Sequence, residues 1–133
     1  MTINVRWYNP GKTIILQKRE RGWTWEEFDA AVDQYVAMAR LEDHDVAIII
    51  DCLDAPRSPS SSALPHFRRA DDLKPGNLVL MVIVSLGGFL ETMGQTFSDT
   101  TSGVREFLHF VRSMEEAEAL CAEVLALPTG DDH

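Results

Sequence analysis

The chain has 133 residues, 45% of them hydrophobic and 25% charged, with a formal net charge of −9. That length bounds one domain able to bury a core of its own. The acidity argues against a nucleic-acid partner, whose phosphates need clustered Lys and Arg. Bases gather only at Lys18-Arg19-Arg21 and Arg68-Arg69, each beside acids, a pattern that reads as a solvated face.

In chain order, residues 3–8 read as a first strand, with Val5 and Trp7 on one face and Arg6 and Tyr8 on the other. Asn9-Pro10-Gly11-Lys12 is a turn signal, Pro presetting φ at the second position and Gly accepting positive φ at the third. Residues 13–19 then return as the second strand of a hairpin. Thr24 with Glu27 forms a capping box, opening a helix whose stripe is Trp25, Phe28, Val32, Tyr35, Val36 and Ala39. That helix ends near Leu41. Val46–Asp51 (VAIIID) and Leu78–Val84 (LVLMVIV) are unbroken apolar runs rich in β-branched residues, as parallel strands covered on both faces are.

Between those runs a second helix spans about residues 63–72, with Pro65 harmless in its first turn. Gly87-Gly88 opens a third predicted helix carrying Phe89, Leu90, Met93 and Phe97. Residues 106–112 read as a half-buried last strand. Ser113 and Glu116 then form a second capping box, before a helix whose core face is Ala117, Leu120, Cys121, Val124 and Leu125. The sum is an α/β fold, ββαβαβαβα, with a mixed, mainly parallel sheet of about five strands and about four helices. One domain over residues 1–127 and a flexible tail over 128–133 are expected.

This order resembles the STAS domains, the anti-sigma-factor-antagonist fold. In that family the strand matching Val46–Asp51 ends in Asp, and a regulatory Ser or Thr follows nine residues later in an Asp-Ser-Ser-Gly-like turn. Counting from Asp51 reaches Ser60, with Ser61 next; Pro59 stands where the family has Asp and Ser62 where it has Gly. Residues 106–124 resemble the family's closing strand and helix. The resemblance implies a non-enzymatic regulatory module that binds a partner protein, such as an anti-sigma kinase-like protein, through the serine loop and second helix. It also admits a carrier reading: an apolar pocket between the sheet and the second and third helices, lined by Phe67, Leu73, Phe89, Met93 and Phe97.

The residues support two readings of the serine loop on their own. A phosphoryl group on Ser60, Ser61 or Ser58 would add about −1.5 to −2 charges beside helix-start N–H groups. Alternatively these serines only cap the helix and solvate the loop. Arg57, Ser62, His66, Arg68, Arg69 and a half-exposed Trp23 are the candidate partner contacts.

Enzymatic readings are thinner. Cys52 and Arg57 are separated by four residues where a phosphatase loop needs five, and the other assembly, Cys52 or a serine with His66 and Asp54, offers His66 no orienting acid beyond Asp54. No His, Cys, Asp or Glu grouping has metal spacing, so neither metal nor cofactor is expected. Cys52 and Cys121 should stay unpaired. The opening MTINVRWYNPGK lacks a secretory apolar stretch, and Leu78 to Leu86 is far short of the roughly 20 residues of a membrane span. The expectation is therefore a cytoplasmic protein without stable membrane insertion, a monomer or homodimer.

Overall fold

The computed structural model describes residues 2–55, 59, 63–86 and 107–126. Strands β1 (Ile3–Trp7) and β2 (Ile14–Arg19) form the hairpin, and helix α1 (Trp25–Arg40) leads into β3 (Val46–Asp51). Helix α2 (Leu64–Leu73), β4 (Leu78–Val84), β5 (Leu108–Val111) and helix α3 (Met114–Leu125) follow. The strands lie in one sheet in the order β1-β2-β3-β4-β5, antiparallel between β1 and β2 and parallel elsewhere. The expected five-stranded, mainly parallel sheet is present, with three helices among the described residues. The helix expected over residues 87–97 and the tail lie outside them.

The hairpin turn differs in detail from its sequence reading. Lys12 N–H donates to Asn9 O at 3.2 Å, and Lys12 rather than Gly11 carries the positive φ, at 55°. The reason lies in Asn9, whose Oδ1 accepts from the N–H groups of both Thr13 and Ile14 at 3.1 Å. Its amide donates to Thr13 Oγ1 at 2.6 Å. The side chain thus takes up backbone donors past the turn, and the left-handed residue falls one position later than a four-residue turn would put it.

The Thr24 capping box forms as read: Thr24 Oγ1 accepts from Glu27 N–H, and Glu27 accepts from Thr24 N–H. The second forms by half. Ser113 Oγ accepts from Glu116 N–H at 3.2 Å, but Glu116 accepts from the N–H of Arg112, one residue earlier. The N-cap of α2 is Ala63, which makes no side-chain capping bond, so no serine occupies its cap position.

The sheet divides the core in two. Toward α1 and α2 it presents Ile3, Ile15, Val46, Ile48, Ile50 and Leu78. Toward α3 it presents Ile14, Leu16, Ala47, Ile49, Leu80, Val82 and Val84. β3 is buried at all six positions because helices cover both its faces. Cys52 belongs to the first cluster and Cys121 to the second, so the sheet separates the two free thiols.

Candidate functional site

The features that could do chemistry or binding gather on the α1/α2 face, at the carboxyl edge of the parallel strands. Alternation along β2 turns Ile15, Gln17 and Arg19 toward the helices. Gln17 pairs with Ile50 in register, and Lys18 pairs with Asp51, the last residue of β3. Arg19 therefore stands one residue beyond the end of β3, on the edge where ligand sites of open α/β sheets collect.

Arg19 is 4% exposed and Gln17 1%. Arg19 Nε–H donates to Gln17 Oε1 at 2.8 Å. Its guanidinium carbon lies 4.5 Å from the centre of the Trp23 ring and 5.1 Å from that of Phe28. No carboxylate among the described residues forms an ion pair with it. Burial accordingly pulls the Arg19 pKa down from its ordinary value.

A cavity of about 80 Å³ opens beside this pair. Its floor is sheet: Gln17, Arg19, Ile50, Met81, Ile83, Leu108 and Phe110. Phe28, Val32 and Tyr35 of α1 form one wall, and Phe67, Ala70, Asp71 and Lys74 of the α2 region form the other, with Phe107 beside them. The void explains the alternation of β4, where Leu80 and Val82 are buried while Met81 and Ile83 are only half-buried. Burial raises the Tyr35 phenol above its ordinary value, so it lines the cavity as a neutral group.

α2 is held over the cavity without one fully buried residue. His66 Nδ1 meets the Asp29 carboxylate at 3.0 and 3.1 Å, and its ring stacks on Trp25 at 4.7 Å. Arg69 donates to Asp33 at 2.6 Å and to the Asp29 carbonyl at 3.3 Å. The helical spacing of His66, Arg69 and Ala70 turns this face inward onto α1 and the sheet.

Several site expectations change as a result. Trp23 is buried at 4% exposure, not half-exposed, because it packs edge-to-face on Trp25 and beneath Arg19. Arg19 does not share a solvated face with Lys18: adjacent strand residues point to opposite sides, and Lys18 is the half-buried one, paired with Asp54 at 3.4 Å. His66 is a half-buried tether to α1 rather than a surface histidine, and Arg69 is engaged by the same helix. Of the partner-contact candidates that are described, Arg68 is the exposed one. Arg57, Ser58, Ser60, Ser61 and Ser62 lie outside the described residues.

His66 takes Asp29 as its acid and Asp54 takes Lys18, so the suggested Cys52–His66–Asp54 set is not assembled. Burial raises the Cys52 pKa, which disfavours the thiolate a nucleophile needs. Among the described residues no group of three or more His, Cys, Asp or Glu could hold a metal ion. No described helix is long and apolar enough to cross a membrane. The carrier expectation put its pocket between the sheet and the second and third predicted helices, the third lying outside the described residues; the cavity described here lies between α1, α2 and the sheet, with Phe67 as the shared residue. Sequence reading missed Gln17 and Arg19. Ile14, Ile15 and Leu16 are apolar in succession, so alternation along β2 does not mark which residues face inward.

No protein-family model, no curated protein and no solved structure matches this chain.

Proposed function

We propose that this chain is a non-enzymatic, STAS-like binding module whose sheet–helix cavity receives a small apolar ligand. The observation that carries this reading is the cavity itself. Close-packed interiors leave few voids larger than a water molecule, yet here aromatic and aliphatic side chains from α1, α2 and three strands border one of about 80 Å³. Concave, mainly apolar spaces with a few placed polar groups are the usual form of small-ligand sites. A neutral fluorescent probe such as N-phenyl-1-naphthylamine should bind saturably with one site per chain. Ala70→Phe, which pushes a ring into the cavity, should abolish that binding while leaving the circular dichroism spectrum unchanged. Absence of saturable binding to the wild type would overturn the reading.

The element order and consecutive sheet order support a second reading, the regulatory one drawn from the STAS resemblance. In it, α2 and the loop carrying Ser60 dock a partner protein in the cytoplasm, with Arg68 on the exposed flank. A negative charge near a helix start is if anything mildly stabilising, so Ser60→Asp should leave the thermal midpoint nearly unchanged. It should weaken capture of an anti-sigma kinase-like partner, as should Arg68→Glu. If both variants retain that partner as well as the control Glu123→Gln does, the regulatory reading fails.

A further inference from the structure

We propose that the cavity is built for a carboxylate-headed ligand, with the acid on the open edge of the Arg19 guanidinium and the apolar body between α1, α2 and the sheet. This rests on the cavity reading above and adds the ligand's chemical class.

The case starts from an imbalance of donors and acceptors. A guanidinium has five N–H donors and no acceptor. Among the described residues, Arg19 uses one of them, Nε–H, on Gln17. That choice matters geometrically, because it leaves the terminal Nη1 and Nη2 groups, a planar fork that matches the two oxygens of a carboxylate. Nearby in the same core, though not in the cavity lining, Trp23 Nε1 and Trp25 Nε1 are buried without a hydrogen-bond partner among the described residues.

A buried cation normally comes with its counter-ion, since removing one partner of a buried pair is strongly destabilising. Arg19 is 4% exposed and carries no acid partner among the described residues. The Trp23 and Phe28 rings supply quadrupole attraction, which is weaker than a carboxylate's. Asp71 also borders the cavity, yet it makes no ion pair with Arg19. Lys74, its ammonium 4.3 Å from the centre of the Phe107 ring, adds a second cation to the lining, and the rest is mainly apolar around a neutral Tyr35 phenol, so a ligand needs one anionic end and a hydrocarbon or aromatic body.

The test compares octanoate with octanol on the wild-type chain at pH 7, by titration calorimetry and by quenching of tryptophan fluorescence. Octanoate should bind at least about tenfold more tightly, as charge-assisted hydrogen bonding to a desolvated guanidinium allows. Arg19→Met should erase the preference, bringing octanoate down to the level of octanol, while Arg19→Lys should keep only part of it. If the wild type binds both compounds equally, or the preference survives in Arg19→Met, the carboxylate assignment is wrong and the apolar cavity stands. If neither compound binds, the cavity reading falls and the assignment with it. The wild-type comparison decides the matter even if a variant does not fold.

Discussion

The two faces of the sheet are built from the same strands and solve the same burial problem differently. Against α3, Leu16, Ile49, Leu80, Val82 and Val84 meet Ala117 and Cys121 in an apolar cluster, and strand alternation adds the buried Asp51 only at the far end of β3. Against α1 and α2, the same β2 strand delivers a glutamine and an arginine, the Trp23 and Phe28 rings lie against the arginine, and a cavity remains open. The difference teaches where stability and binding reside. Among the described residues, the centre of the α3 face is an apolar cluster. The α1/α2 face keeps polar groups and empty space that packing alone would eliminate.

The harshest way to break this comparison is to put a charge on the apolar face. Ile49 is wholly buried among apolar neighbours. Ile49→Asp should leave no soluble folded protein, since an unpaired buried charge costs several kcal/mol. A folded, soluble Ile49→Asp protein in expression and circular dichroism assays would mean that the α3 face is not sealed.

Truncation should separate the faces more finely. Leu80, fully buried toward α3, and Ile83, half-buried at the cavity, are three residues apart on β4. Leu80→Ala should cost about 3 kcal/mol in urea denaturation, whereas Ile83→Ala should cost less than half of that, because Ile83 already borders empty space. Equal losses would mean that both faces are packed alike.

A smaller effect with an unusual sign is expected at Arg19. Replacing buried charges by apolar groups of similar size is often neutral or stabilising. Arg19→Met should therefore raise the stability of the ligand-free protein by about 1 kcal/mol, read as a higher urea midpoint at unchanged slope. A loss of more than about 1 kcal/mol would instead give the guanidinium a structural role through its rings and Gln17.

The smallest effect contrasts the tyrosines, one associated with each face. Tyr8 donates to Glu118 of α3, and that bond, with some burial, raises its pKa to about 12. Tyr35 is raised further, by burial on the cavity side. Both folded values lie above the unfolded value of about 10, so their contribution to stability is complete below pH 10 and is lost as pH climbs through the folded values. Ultraviolet titration of the folded chain should show no phenolate near pH 10 and a first step at about 12. Glu118→Gln should move that step back toward 10. A phenolate step near 10 in the wild type would rule out the Tyr8–Glu118 bond.

Most of the fold was legible because it is written in period and punctuation. Uninterrupted β-branched runs marked β3 and β4, and Thr24 with Glu27 marked the start of α1. The candidate site was much less so. Arg19 ends a strand next to Lys18, and a pair of adjacent bases gives no hint of which one points inward; only the pairing of β2 with β3 and the packing of α1 decide it. Trp23 precedes its helix in a polar stretch, and its burial depends on Trp25, Phe28 and Arg19 meeting across elements. His66 finds Asp29 37 residues away, a tertiary contact with no local signature.

The consecutive order of the strands also bears on how the chain is assembled. Each of β2, β3, β4 and β5 pairs with the strand made just before it. A chain growing from its N-terminus can therefore lay the sheet down one edge at a time, never waiting for a strand still to be synthesised. The apolar face would be the last to close, because its cover, α3, is the final described element. Ribosome-bound chains in which residues up to 86 have emerged should show β1 to β4 protected from protease, with the α3 face still binding hydrophobic dye. Protection that arrives only when the last helix emerges would instead make that helix the keystone of a sheet assembled all at once.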